Sequence, residues 1–488
     1  MLLEYPAWVL AYKCKGKEIR RIKGNYYLYQ VRCVWNKERK RPQKITESFL
    51  GRITETGLVK KDRSEMQSTT MSVSNICIKE YGVASFLLED NKDVLQTLQR
   101  HFKGSFEALF CAAVNRFVYQ SPLKNMEHHY ENSYLSELLP NVQMDDKSLS
   151  VLLLQIGSNR VAISAFMKQF MQPLMNDDDF LLMDATQVLS LSETLENAQT
   201  GYNSKGNHTP QVSLLYLFAA QAQLPAFYRM TPGNVKEVAA MSLTLQESEI
   251  QKAVVVADKG FFSEKNMKML DDKKLQYIVP LRRSSSLIDY SPCEQPFRKG
   301  FTNYIRFNDR VVWYYDKQIN DNQRVILYLD ENLAQNEQND YLLRIEKEQD
   351  NYTLESYQMN AKKQGTIALL TNLKTDKTPE QVYTSYKSRA DIEILFDTFR
   401  NTLNADRSYM RSNEMLEAWL FINHLALIFY YRLYKRLIQH DMLKKYSPKD
   451  MLTHLKTIKK VKINDNWFSA EIPSKSKAIL TKAEIPMA

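Results

Sequence analysis

The stretch "KAVVVADKGFF", residues 252–262, decides the fold. In it, five consecutive apolar residues, Ala253 to Ala257, lead directly into Asp258. An apolar run of this length predicts a strand buried on both faces, as in a sheet that helices cover on both sides. Ser263 follows as a candidate helix N-cap, and "LQYIVPL" (275–281) is the next predicted strand. The alternation of strand and helix predicts an α/β domain.

A second short apolar run lies upstream, in "DDDFLLMDATQ" (177–187), and ends on Asp184. Asp184 and Asp258 are therefore both expected at the carboxyl end of a buried strand, which is the edge where α/β sheets bind ligands. If the two strands are neighbours, the two carboxylates can converge. Each aspartate alone has an ordinary structural alternative, because Asp is favoured at turns for local hydrogen-bonding reasons.

Two converging carboxylates need a reason not to repel each other. One reason is a shared proton, and another is a divalent cation such as Mg²⁺ or Mn²⁺, which prefers hard oxygen ligands. Two such ions can activate a water molecule and stabilise the leaving oxygen in phosphodiester chemistry. A third carboxylate would complete a site of that kind.

The stretch "YKSRADIEILFDTFRN" (386–401) offers the third carboxylate, Glu393. A helix is predicted to begin at Thr378, since Pro379 and Gln381 complete a capping-box pattern. At about 100° per residue, one polar strip carries Tyr386, Arg389, Glu393, Asp397 and Arg400, beside an apolar stripe of Ile392, Leu395, Phe396 and Phe399. The alternative is a salt-bridged surface face, in which Arg389 pairs with Glu393 and Asp397 pairs with Arg389 or Arg400.

Composition limits the possible partners. The chain has 488 residues and a net charge of +10, of which residues 1–60 carry +9 and residues 431–488 carry +8. Basic ends around an acidic centre suit a protein that binds a polyanion, although basic termini can also serve solubility alone. Five widely spaced cysteines without a CxxC pair predict neither a disulfide framework nor a zinc site, and fit a reducing cytosol. We expect no secretory signal, because no basic residue precedes the short apolar run at the N-terminus. We expect no membrane-spanning segment, because the longest apolar stretch is interrupted by charged residues.

The expected fold class is α/β with additional all-α and β-rich parts. Changes in pattern along the chain predict the following organisation: a basic β-hairpin arm (1–61), a linker (62–75), a helical and candidate DNA-binding domain (76–177), the first part of the core (178–281), a β-rich insertion (282–375), C-terminal core helices with the third acid (376–437) and a basic tail (438–488). At the predicted hairpin tip, the basic residues placed to meet phosphates are Lys37, Arg39, Lys40, Arg41 and Lys44. A solvated turn is the alternative there.

The order of these motifs resembles bacterial insertion-sequence transposases of the DDE class. Tyr386-x2-Arg389-x3-Glu393-x6-Arg400 is similar to their Tyr-Arg-Glu-Lys signature, with Arg in place of the final Lys. Further similar pieces occur in the family's order, namely "LLMDATQ" (181–187), "GYNSKGNHTPQV" (201–212), "PAFYRMTPGN" (225–234), "VVADKGFFSEKN" (255–266) and "YMRSNEMLEAWLFINHLAL" (409–427). The resemblance covers about residues 178–434.

The resemblance implies a ribonuclease-H-like catalytic domain interrupted by a β-rich insertion. The implied metal ligands are Asp184, Asp258 and Glu393, holding two Mg²⁺ or Mn²⁺ ions. The signature side chains Tyr386, Arg389 and Arg400 would contact the transposon end. Lys259 and Lys205 would be further phosphate contacts. Trp313 matches an aromatic that stacks a flipped base in relatives, and a buried strand Trp is the favoured alternative.

On this basis we expect a transposase that cleaves at its terminal inverted repeats and joins the 3′-OH ends to target DNA. It would act as a homodimer on paired double-stranded ends, in the bacterial cytoplasm and on the nucleoid when bound to DNA. Two alternatives stay open. One is a catalytically inactive or repurposed relative that only binds DNA. The other is an unrelated two-acid hydrolase such as a glycosidase.

Overall fold

The computed structural model describes residues 5–36, 41–60, 76–175, 179–190, 192–201 and 209–487. The chain forms two compact units, Met1–Ile76 and Cys77–Ala488. Each unit is described by itself.

The first unit is an antiparallel sheet with a small apolar core. Its elements are α1 (Ala7–Leu10), β1 (Lys17–Ile22), β2 (Asn25–Asn36), β3 (Arg41–Thr54) and β4 (Gly57–Val59), with the strands in the order β1-β2-β3-β4. Val9, Leu28 and Ile53 fill the core. Gly51 lies inside β3 at φ +147°, where an added Cβ would approach the carbonyl oxygen of Val59 to 2.8 Å, so the sequence needs glycine there.

A helical layer opens the second unit. After β5 (Ile76–Glu80) it contains α2 (Gly82–Asp90), α3 (Lys92–His101), α4 (Phe106–Tyr119), α5 (Met126–Asn132), α6 (Leu135–Leu138), α7 (Asp146–Gly157) and α8 (Arg160–Met171). Gly157 ends α7 where an added Cβ would lie 1.7 Å from the carbonyl oxygen of Glu414, so the backbones of two helices meet there.

The rest of the second unit alternates strands and helices around one large sheet. From residue 180 its elements are β6 (Phe180–Ser190), β7 (Gln211–Ala219), β8 (Leu224–Pro232), α9 (Glu237–Ser248), β9 (Val254–Ala257), α10 (Glu264–Asp272), β10 (Gln276–Pro280), α11 (Ser291–Glu294), β11 (Asn303–Phe307), β12 (Arg310–Asn320), β13 (Gln323–Asp330), α12 (Glu331–Glu346), α13 (Leu354–Asn360) and β14 (Thr366–Thr371). They are followed by α14 (Pro379–Lys387), α15 (Ala390–Asp397), a π turn (Thr398–Thr402), β15 (Arg407–Ser408), α16 (Asn413–Gln439), α17 (Pro448–Leu455), β16 (Lys459–Ile463), β17 (Asn466–Ser469) and α18 (Ser474–Lys482).

The large sheet has the strand order β11-β12-β13-β14-β10-β9-β6-β7-β8, and β15 pairs with β6. Strand β9 is central and runs parallel to both β6 and β10, whereas β7 and β8 are antiparallel. All four residues of β9 are buried, as the apolar run predicts. The mixed α/β class is thus confirmed. The strands of the predicted insertion do not form a separate sheet, because β14 pairs with β10 and extends the same one.

Helix α16 anchors this sheet to the helical layer. Seventeen of its 27 residues are buried, and it packs against α4, α7 and β8. One hydrophobic cluster therefore runs from the first helices to the C-terminal segment. The boundaries predicted at 178, 282 and 376 lie inside this unit and stay predictions.

The C-terminal segment, predicted as a basic tail over 438–488, contains α17, β16, β17 and α18. Strand β16 pairs with both β17 and β5, so the two ends of the second unit share one small sheet. Within the described ranges, no single helix is long and apolar enough to cross a membrane. The bent pair Asp146–Gly157 and Arg160–Leu174 passes by length and composition only.

Candidate active site

The sheet places Asp184 and Asp258 side by side. Strands β6 and β9 are parallel neighbours, and their last paired residues are Met183 and Ala257. Each aspartate is the next residue along its chain. Asp258 directly follows β9, as predicted. The prediction that Asp184 ends its strand is wrong, because β6 continues to Ser190 by pairing with β7 and β15. Only the pairing with β9 stops at Asp184.

The helical segment that carries Glu393 is interrupted. Its start is as predicted, with a complete capping box between Thr378 and Gln381. The expected continuous helix is wrong, because α14 ends at Lys387 and a turn precedes α15. In that turn the amide of Arg389 donates to the carbonyl of Tyr386 (3.1 Å), a spacing of three residues that is tighter than the α-helical four. The predicted apolar stripe is buried, with Ile392, Leu395, Phe396 and Phe399 each at most 4% exposed.

One guanidinium group contacts all three candidate acids. Nη1 of Arg389 lies 3.2 Å from Oδ2 of Asp184 and 3.6 Å from Oδ1 of Asp258, and Nη2 lies 2.8 Å from Oε1 of Glu393. The surface ion pair between Arg389 and Glu393 that the sequence offered as an alternative does form, but it is one of three ion pairs that Arg389 makes with these acids. The second carboxylate oxygen of Asp184, Oδ1, accepts the amide N–H of Ala185 at 2.8 Å.

Burial and charge act in opposite directions on this arginine. The side chains of Arg389 and Asp184 are each 18% exposed, Asp258 is 34% exposed, and Glu393 is 60% exposed. Burial opposes the charged form of Arg389, but the neighbouring carboxylates outweigh it and raise its pKa above the ordinary value. Burial, with added repulsion from the same acids, also raises the pKa of Tyr386. Tyr386 therefore belongs to the same electrostatic neighbourhood.

The donor chemistry of this site fits a hard divalent cation. Three carboxylates from separate elements converge on one positive group, and carboxylate oxygens are the ligands that Mg²⁺ and Mn²⁺ prefer. In the part of the chain that the structure describes, no group of three or more Asp, Glu, His or Cys side chains is arranged to hold a metal ion. The guanidinium of Arg389 lies between the acids and contacts one oxygen of each.

Among the residues that the structure describes, neither Arg400 nor Lys259 forms an ion pair with the three acids. The Nε of Arg400 donates to the carbonyl of Phe396 at 3.1 Å. Asp397 accepts from the side-chain amide of Asn401 at 2.6 Å, so the expected pairing with an arginine is wrong. Lys259 is exposed in the short 3₁₀ turn after Asp258. Lys205 lies outside the described residues.

Trp313 lies on β12, part-way into the sheet. It is only half-buried, and its ring lies 5.6 Å from that of Tyr304. Its indole N–H is buried and has no hydrogen-bond partner among the described residues. Its proposed contact with a base stays a prediction.

The open face of the first unit combines basic and aromatic side chains. Arg20 and Arg52 lie opposite Tyr27 on the two flanking strands, and the guanidinium of Arg20 is 4.6 Å from the ring centroid of Tyr29. Such a combination suits a nucleic-acid backbone and its bases. Of the basic residues predicted at the hairpin tip, Arg41 and Lys44 lie on β3 and are exposed. Lys37, Arg39 and Lys40 lie outside the described residues.

The sequence reasoning missed the triple contact of Arg389. It assigned this residue to DNA and recognised only its pairing with Glu393, four positions along the helix. The contacts with Asp184 and Asp258 depend on the register between β6 and β9, which no local pattern reveals. The available signal was an arginine one turn before the third acid.

Comparison with known proteins gives one family. The family described as "Transposase DDE domain" matches residues 175–429, which is more than half of the chain and includes all three acids. Curated proteins contain no match to this chain. Among solved structures, a cryo-EM structure of piggyBac transposase in a synaptic complex with hairpin DNA aligns at 12% identity and a TM-score of 0.36. The alignment covers 67% of this chain and 62% of that one, and a likeness this weak supports no argument.

Proposed function

We propose that this chain, which belongs to the transposase DDE domain family, cleaves DNA at the ends of a mobile element and joins the freed 3′-OH ends to target DNA. One observation carries the proposal. Asp184, Asp258 and Glu393 come from two strands and a helix, yet they meet around a single guanidinium group within 3.6 Å. Three acids rarely share so small a space without a cationic partner.

The three acids would hold the metal ions. Transposases of this family typically use divalent metals, and two bound ions would activate water and stabilise the leaving oxygen. The strands fix Asp184 and Asp258 through the sheet register, so these two carboxylates are held in place before any ligand arrives. Glu393 is exposed and sits on a separate helix, so it is the member of the set best able to adjust.

The proposed DNA contacts surround these acids. Tyr386 and Arg389 lie next to the cluster, and Arg389 has a planar fork that matches a phosphate. Arg400, Lys259 and Lys205 are proposed to add charge along the same strand of DNA. In the first unit, the basic and aromatic face would bind duplex DNA through phosphates.

The finer assignments are part of the same proposal. We place the protein among the transposases of bacterial insertion sequences, acting in the cytoplasm and on the nucleoid. Its ribonuclease-H-like core would work as a homodimer on two paired ends with Mg²⁺ or Mn²⁺. Support comes from the Tyr-Arg-Glu spacing of 386–393, the strand order β8-β7-β6-β9-β10 around the two aspartates, and the basic ends of the chain.

The test is cleavage of a plasmid that carries the DNA flanking the gene, with Mg²⁺ or Mn²⁺ present. We expect nicks at imperfect inverted repeats, and we expect Asp258→Asn to abolish them. Asp272→Asn is the matched control, because it removes a carboxylate on α10 that is exposed and outside the cluster. Specific binding of the repeats without any cleavage would favour the non-catalytic alternative. Equal cleavage by Asp258→Asn would refute the assignment of the acids.

A further inference from the structure

We infer that Arg389 is an internal counter-ion that occupies the three-acid site until DNA withdraws it, so that metal entry depends on DNA. This inference rests on the proposed function and adds its regulation. It gives the arginine two successive partners, first the carboxylates of its own chain and then a phosphate.

The three acids form a compact cluster of negative charge. Asp184 and Asp258 leave adjacent positions of neighbouring parallel strands, so the backbone holds them close whatever else binds. Glu393 adds a third negative charge. The guanidinium of Arg389 is the positive group that the structure places among all three, at 2.8–3.6 Å. It therefore offsets the same repulsion that a divalent cation would offset, and the two cations compete for the same oxygens.

The side chain of Arg389 is able to move away from the three acids. It lies in the turn between α14 and α15, outside the regular helix on either side. Its contact with Glu393 is exposed, and exposed pairs are weak. Its contacts with the aspartates are single-atom contacts of Nη1 rather than a two-point fork. A DNA phosphate could accept both arms of the guanidinium and so compete effectively.

Thermodynamic linkage would couple the binding of DNA to the binding of metal. If a phosphate stabilises the withdrawn position of Arg389, and only that position leaves the acids open, then DNA raises the affinity for metal. Reciprocity requires metal to raise the affinity for DNA by the same factor. The device would keep the nuclease site closed by its own arginine in the absence of a substrate.

The experiment measures Mn²⁺ binding to the full chain without DNA, by electron paramagnetic resonance of free Mn²⁺ and by calorimetry. We expect Arg389→Gln to bind Mn²⁺ about tenfold more tightly than the wild type, since the competing cation is gone. Lys387→Gln is the matched control for this measurement, because it removes a cation of the same segment whose ammonium lies 5.1 Å from the ring centroid of Tyr383 and makes no described ion pair with the acids. It should leave the Mn²⁺ affinity within about twofold.

A second variant guards against loss of the fold. Arg389→Lys keeps the positive charge but loses the two-armed group, so its Mn²⁺ affinity should fall between those of the wild type and Arg389→Gln, with unchanged far-ultraviolet circular dichroism. Equal Mn²⁺ affinity in all three proteins would overturn the inference. So would an equal increase in Lys387→Gln, because that would show a general effect of net charge.

A final measurement adds a short duplex taken from the DNA flanking the gene. The duplex should raise the Mn²⁺ affinity of the wild type but not that of Arg389→Gln. These outcomes separate the inference from the proposed function. If the wild type cleaves DNA but Arg389→Gln binds Mn²⁺ with unchanged affinity, only the counter-ion role of Arg389 is refuted. If Arg389→Gln binds Mn²⁺ more tightly but the wild type does not cleave DNA, only the transposase activity is refuted.

Discussion

Substitution of Glu393 by Gln should separate catalysis from stability. The side chain of Glu393 is 60% exposed and makes one described ion pair, with Nη2 of Arg389 at 2.8 Å. Exposed pairs four residues apart on a helix contribute about 0.3–0.5 kcal/mol. The Gln side chain keeps an oxygen that can accept from the same guanidinium. The free energy of unfolding should therefore fall by no more than about 0.5 kcal/mol.

The effect on cleavage should be far larger. A bound metal contributes several kcal/mol to the stabilisation of the transition state. At about 1.4 kcal/mol for each factor of ten, the loss of one of three carboxylate ligands should slow cleavage by about a thousandfold. Asp184→Asn offers a contrast, because Asp184 is only 18% exposed and faces the same arginine. It should slow cleavage similarly and also destabilise the fold measurably.

Two assays decide the matter. Urea unfolding in the presence of EDTA measures stability without metal, and nicking of a supercoiled plasmid that carries the flanking DNA measures cleavage. Asp397→Asn is the matched control, because Asp397 is also exposed at the end of α15 and its partner is the amide of Asn401. It should match the wild type in both assays. Cleavage by Glu393→Gln at the rate of the wild type, or a loss of more than about 2 kcal/mol of stability, would refute the role of Glu393 as an exposed metal ligand.

Three further predictions concern other parts of the chain. Burial first, with the nearby charge of Arg160, lowers the pKa of His424 to about 3. Since the unfolded side chain titrates near 6.5, stability should fall by about 2 kcal/mol between pH 7 and pH 5, and urea unfolding of His424→Gln should lack that loss. Arg160 donates to Glu417 at 2.7 Å where Glu417 is buried, so Arg160→Met should cost about 3 kcal/mol in urea unfolding. Adding Glu417→Gln should restore part of it, and full additivity of the two changes would contradict the pairing. Replacing Arg20 and Arg52 together by Gln should weaken DNA binding alike for all sequences and reduce the slope of log affinity against log salt by about 2 in filter binding, whereas an unchanged slope would exclude this face from the interface.

Sequence patterns predicted those parts of the site whose structure depends on residues that are close together in the sequence. The apolar run before Asp258 needs a buried strand wherever it lies, and the capping box at Thr378 satisfies the helix start with its own side chains. Pairing between distant segments was not readable in this way. No nearby residue indicates that β6 continues beyond Asp184, because its partners there are β7, which pairs with it as far as Leu189, and β15 at Arg407–Ser408. The folding of the basic C-terminal segment has the same cause, since its strand β16 finds β5 at the opposite end of the unit.

The two arginines of the signature, Arg389 and Arg400, lie in backbone turns of different geometry. Between Glu393 and Arg400 the helix widens into a π turn, in which the amide of Leu403 donates to Thr398 five residues back, at 2.9 Å. A π turn has more residues per turn than an α-helix. The side chain of Arg400 therefore does not follow the spacing of about 100° per residue that would place it on the polar strip with Glu393. Its Nε donates instead to the carbonyl of Phe396. Arg389, in the tighter turn before α15, is committed to the acids. The spacing that looked like one continuous face therefore contains two cations with separate starting partners, and only Arg389 has to break ion pairs with the acids before it can meet a phosphate.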